Sequence, residues 1–127
     1  MGQQQLLLIV LGVIIVGIAV VVGINVFTAS SSQANRDAVI ADLTNLASMA
    51  QQFYRKPTAL GGGGNTFTGW TIPTALATTG NGTYTATVAA QTVTLVGTGN
   101  EKGNDGTNKV KVTMVVTADS IKATPNN

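Results

Sequence analysis

The 127-residue chain contains no cysteine and no histidine. Disulfides, thiolate nucleophiles and sites built on imidazole are therefore excluded. Charge is almost as scarce: seven Lys/Arg and five Asp/Glu make up 9% of the residues, against roughly 25% in an ordinary soluble domain. The net charge of +2 and the pI of about 9.2 come from cations scattered along the chain. That pattern does not argue for a nucleic-acid partner. The six aromatics, Phe27, Phe53, Tyr54, Phe67, Trp70 and Tyr84, are too sparse for a continuous conducting stack. The carboxylates are few and widely spaced, so no catalytic constellation is visible. The sequence reads as that of a non-enzyme, with no cofactor and no metal.

The distribution of charge is more informative than its amount. Residues 1–35 carry no ionisable side chain; the first are Arg36 and Asp37. Within this third lies an apolar run formed by Leu6, Leu7, Leu8, Ile9, Val10, Leu11, Val13, Ile14, Ile15, Val16, Ile18, Val20, Val21, Val22, Ile24, Val26 and Phe27, with Asn25 its one strongly polar member. As a helix the run spans roughly 33 Å, enough for a hydrocarbon layer. In lipid a lone segment must be helical to satisfy its own backbone. A secretory signal fits poorly, because the run is too long and Met1–Gln5 holds no cation. Removal of a basic leader upstream of Met1 is the expected reason. Gly12, Gly17 and Gly23 allow close helix approach or bending.

Helical periodicity continues beyond the apolar run. Val39, Leu43, Leu46, Met49, Ala50 and Phe53 recur at spacings of three and four, the mark of an amphipathic helix. Arg55 and Lys56 suit its C-terminal end, and Pro57 stops it. The expected helix covers about residues 3–55, roughly 80 Å. The glycines at 61–64 read as a flexible linker rather than a phosphate loop, since no Lys-Ser/Thr follows. Phe67, Trp70 and Ile72 are expected to tack the linker onto the helix.

Alternating runs follow: Thr83–Val88, Thr92–Leu95 and Lys109–Thr117, with a short edge strand at 120–124. Period-two alternation predicts half-buried strands with Thr and Lys facing water. Residues 97–108 read as a long loop. Asn81-Gly82 reads as a tight turn; Asn81-Gly82-Thr83 also matches the N-glycosylation acceptor, making Asn81 a candidate modification site. The expected fold class is α+β: a long helix packed on a three- or four-stranded antiparallel sheet. The segments are a hydrophobic helix (1–27), its amphipathic continuation (28–56), a Gly-rich linker (57–80) and a β domain (81–127).

This architecture resembles type IV pilin-like proteins, in its order of elements over the whole chain and in sequence over the N-terminal third. The resemblance implies a leader removed by a prepilin peptidase, N-methylation of the new terminus (here Met1), and assembly by pilus machinery into an extracellular homopolymer. Where the family usually has Glu at mature position five, this chain has Gln5. Gln3, Gln4 and Gln5 are therefore the expected contacts for a neighbouring subunit's N-terminal amine, through hydrogen bonds rather than an ion pair. The family's frequent C-terminal disulfide is also missing. The function implied is a major filament subunit, membrane-bound before assembly and at the cell surface after it. Two alternatives remain open: a minor pseudopilin of a secretion system, and a monomeric membrane-anchored extracytoplasmic binding module.

Overall fold

In a computed structural model describing residues 2–127, the first proline of the chain marks the end of its longest element. Helix α1 runs from Gln3 to Arg55, and Pro57 follows it. No proline interrupts those 53 residues, and Gly12, Gly17 and Gly23 are all helical within it. The chain divides into two compact units, the first ending at Ser31 and the second spanning Ser32–Asn127.

The second unit is α+β. The 3₁₀ turn Thr58–Leu60 and the one-turn helix α2 (Thr74–Ala77) lead into five strands. These are β1 (Thr78–Thr79), β2 (Gly82–Val88), β3 (Val93–Lys102), β4 (Lys109–Val116) and β5 (Ile121–Pro125). They pair antiparallel in chain order, a simple meander. The sheet therefore has one strand more than the upper expectation. The addition is the two-residue β1, too short to show alternation, which pairs Thr78 with Thr83 and Thr79 with Gly82.

One face of the sheet packs on α1. Val39, Leu43, Leu46, Ala47 and Ala50 of the helix are buried with Tyr84, Val93, Leu95, Val110, Val112, Met114 and Val116 of the strands. These are alternate strand positions; Thr83, Thr85, Thr87, Lys109 and Lys111 between them are exposed. The expected stripe is thus the core face of the helix, with Met49 and Phe53 partly buried at its margin. Phe67 and Trp70 are buried in the same core, and Ile72 packs against it, as expected of the segment after the glycines.

Two glycine segments depart from their sequence reading, for one physical reason: another group lies where a side chain would be. The expected loop at 97–108 is shorter, because β3 continues through Gly97 and Gly99 to Lys102. A Cβ on Gly97 would stand 2.6 Å from Val39 Cγ1 and 3.1 Å from Leu43 Cδ1. One on Gly99 would overlap the Asn35 amide oxygen. The helix crosses the strand there at close range, and glycine in a strand marks such an approach. The second segment is Gly61–Gly64, which folds back as a helix cap. Gly63 N–H donates to Phe53 C=O at 2.8 Å, Gly64 N–H to Lys56 C=O at 3.0 Å and Asn65 N–H to Tyr54 C=O at 2.8 Å. These bonds satisfy carbonyls that a helix end leaves unpaired.

Gly97→Ala is expected to destabilise the second unit by about 1–3 kcal/mol through overpacking against Val39 and Leu43. Gly80→Ala, whose Cβ meets nothing within 4 Å, is the control and should be near neutral. Denaturant unfolding of the detergent-solubilised chain, followed by Trp70 fluorescence, compares the two; equal midpoints would contradict the close approach.

Candidate functional site

The first unit offers a surface rather than a cavity. All seventeen large apolar side chains from Leu6 to Phe27 are exposed, from 53% for Leu11 and Ile14 to 73% for Phe27. These figures show side chains open to the surroundings on every face of the helix. By length and composition the helix can cross a membrane, and none of its most apolar 18-residue window is buried. Full burial of one such side chain stabilises by about 1.5–3 kcal/mol. Seventeen left in water represent tens of kcal/mol of unmet burial on that scale. An amphipathic helix has one face to hide; this one has every face to hide.

Gln3, Gln4 and Gln5 are exposed on the first turn, which carries no acidic residue. Amides there can accept hydrogen bonds and donate them without bringing charge into an apolar surrounding. Met1, the candidate methylation position, lies outside the described residues. Added Cβ atoms at Gly12, Gly17 and Gly23 would meet nothing within 4 Å, so each glycine opens a notch on the helix surface. Gly12 and Gly23 are eleven residues apart and fall nearly on one face at about 100° per residue.

The second unit holds the polar clusters. Asp42, beside the core stripe of α1, accepts hydrogen bonds at one carboxylate oxygen from Tyr84 Oη (2.5 Å), Thr79 Oγ1 (3.1 Å) and Asn81 Nδ2 (3.1 Å). Partial burial pushes the Asp42 carboxyl up, but the three donors together outweigh it and hold it below its ordinary value. Tyr84 moves the other way. Burial first, then its bond to Asp42, push its phenol up to about 12. The cluster clamps the helix to the β1–β2 hairpin. It also occupies the Asn81 Nδ2, the atom to which an N-linked sugar would attach, and Asn35 Nδ2 donates to Asn81 C=O at 2.9 Å. Asp42 is an acid at the flank of an apolar stripe, a position visible in the sequence; its three partners come from residues 37–42 positions downstream, which no local pattern reveals.

A second cluster ties the start of the packed helix to the far end of the sheet. Ser32 Oγ donates to Lys102 C=O, and buried Arg36 donates to Gln33 Oε1 (2.7 Å), Asn104 Oδ1 (2.9 Å) and Asn127 C=O (3.3 Å). The Arg36 guanidinium thus bonds oxygens from three separate segments, α1, the loop after β3 and Asn127. Among the described residues no buried side-chain nitrogen or oxygen lacks a partner. Both clusters join distant segments through several bonds each and have the character of structural clamps.

Comparison with known protein families, with curated proteins and with solved structures gives no match to this chain. The apolar helix therefore has to be interpreted from its own chemistry.

Tyr84→Phe is expected to remove about 1.5–3 kcal/mol from the second unit, the worth of a hydrogen bond to a charged group. The sign of the pH dependence follows from the shifts. Asp42 sits below its ordinary value, so its contribution is present at neutral pH and lost as pH falls through the folded-state value. Tyr84 is raised from 10.0 to about 12, so its contribution is complete below pH 10 and lost between 10 and about 12. Unfolding free energies against pH should show an alkaline limb in the parent chain that is weakened in Tyr84→Phe; an unaltered limb would refute the clamp.

Proposed function

We propose that this chain is the structural subunit of an extracellular filament of the type IV pilus kind. Its apolar helix, residues 1–27, resides in the cytoplasmic membrane before assembly and passes into a bundle of identical helices. The Thr-rich sheet faces outward. A prepilin peptidase and pilus-type assembly machinery act on it, and its role is mechanical rather than catalytic. The observation that carries this reading is the helix from Leu6 to Phe27, apolar and exposed on every face, joined in sequence to a unit whose buried side-chain polar atoms have partners. A one-sided stripe would be content with one partner. A helix without a wet face requires apolar surroundings on all sides, and both lipid and a bundle of its own kind provide them. Transfer from one to the other keeps the side chains dry throughout, whereas release into water would cost tens of kcal/mol. The glycine notches permit close helix contact in the bundle.

A charge in the middle of the apolar run tests the proposal, because a buried unpaired carboxylate is costly in the bundle. Val16→Asp is expected to abolish filaments in material sheared from cells and viewed by electron microscopy. The second unit should stay folded, as judged by near-ultraviolet circular dichroism. Filaments of normal yield from Val16→Asp would overturn the buried-bundle reading. If the parent chain is absent from the sheared fraction and retained in membranes, the anchored binding module or the minor pseudopilin replaces it.

A further inference from the structure

The lysines that look scattered in the sequence gather on the face of the sheet turned away from α1. Lys109 and Lys111 project from the same side of β4, about 7 Å apart along the strand. Lys102 on β3 stands directly opposite Lys109. Like charges paired across a ladder repel; the outward positions Thr83, Thr85, Thr87, Thr98 and Thr113 are uncharged, and the acids at this end are Glu101 on β3 and Asp105 in the loop after it. At this end of the sheet there is an open cleft of about 650 Å³, within the range of ligand sites.

The floor of the cleft is the row Thr98, Lys111 and Asn126. Thr98 is the register partner of Lys111, and Asn126 N–H donates to Lys111 C=O at 2.7 Å. The wall is the loop 103–108, held by Asp105. Backbone N–H groups of Thr107 and Asn108 donate to Asp105 Oδ1, both at 2.9 Å. The Asn108 amide donates to Oδ2 at 2.9 Å, and the Asn127 amide reaches Oδ1 at 3.2 Å. These four donors hold the Asp105 carboxyl well below the usual carboxylate range, so it is ionised at any pH of interest. The cleft therefore combines two ammonium groups, amide and hydroxyl groups, and one fixed carboxylate acceptor.

From this combination we infer that the cleft binds an acidic polysaccharide, with Lys109 and Lys111 on the sugar carboxylates and Asp105 accepting from sugar hydroxyls. A nucleic-acid strand is disfavoured on two counts. Asp105 repels a phosphate backbone that has few hydroxyls to offer it, and the lining has no aromatic on which a base would stack. The inference does not depend on polymerisation, although a filament would repeat the cleft once per subunit and add avidity.

The test uses the full chain in non-ionic detergent, titrated with polygalacturonate, with neutral dextran of equal length and with duplex DNA of matched total charge. Polygalacturonate should bind, and dextran should not. The Lys109→Gln/Lys111→Gln double variant should weaken polygalacturonate by about tenfold or more, the loss of charge-assisted hydrogen bonds. Lys122→Gln, which alters the same face outside the cleft, should leave binding unchanged. Asp105→Asn should weaken polygalacturonate while tightening duplex DNA. Undiminished binding by the double variant would overturn the site. Equal or tighter binding of duplex DNA by the parent chain, or binding of dextran as tight as polygalacturonate, would overturn the assignment of its ligand.

Discussion

A single helix meets two incompatible demands for burial, and the rest of the chain is organised around that change. Up to Phe27 it carries no polar face and no ionisable group. From Ser32 onward it carries one dry stripe, Val39–Leu43–Leu46–Ala47–Ala50, beside exposed polar positions. The first stretch asks for apolar matter all round. The second asks for one sheet on one side. The first ionisable groups, Arg36 and Asp37, fall in the second stretch, where water and hydrogen-bonding oxygens are both within reach. Charge in the first stretch would be costly in lipid and in a helix bundle alike.

The second unit then has to hold a small sheet against a helix with little charge and no disulfide. It does so by close approach and by saturation of polar groups. Gly97 and Gly99 let α1 come near the strand, and the glycines after Pro57 cap the helix end with backbone N–H groups. Asp42 binds the β1–β2 hairpin, Arg36 binds the 103–108 loop and the last residue, and Arg55 reaches Ala118 C=O at 3.0 Å. Each bond joins segments far apart in sequence, so the burial of the stripe and the order of the loops are mutually dependent. Threonine on the outward face combines the β-branched shape that suits a strand with a hydroxyl that water can satisfy.

Most of the fold was legible because it is written in periodicity. The apolar run, the three-four stripe and the alternation of Tyr84–Val88 and Lys109–Val116 each report their own element without knowledge of the others. The parts that were not legible depend on what lies across space. Glycine at 97 and 99 has the same local meaning in a loop as in a strand crossed by a helix; only Val39, Leu43 and Asn35 distinguish them. The same holds for Gly63 and Gly64, which read as slack until their N–H groups are seen on Phe53 and Lys56 carbonyls. The all-round apolar surface of the helix was visible as a run of side chains, since a surface defined by composition needs no tertiary partner. Lys109 and Lys111 were legible as an outward pair, but the cleft was not, because Thr98, Asp105 and Asn126 join them only through register and loop closure.

This difference in legibility follows from what each surface must do. An all-round apolar helix recognises its surroundings by area, so one residue contributes much like the next and the information lies in their number. Recognition of a charged ligand needs particular groups at particular separations, and a sheet supplies those through register and not through sequence spacing. In a polymer held together by its helices, the outward sheet face is free of any duty to the core. Lys109 and Lys111 alternate on β4 with buried Val110 and Val112, and the pleat keeps the two sets apart. The outward lysines can therefore change without touching the packing beneath them. That separation leaves the outward side chains free to vary while the buried face keeps its packing against the helix.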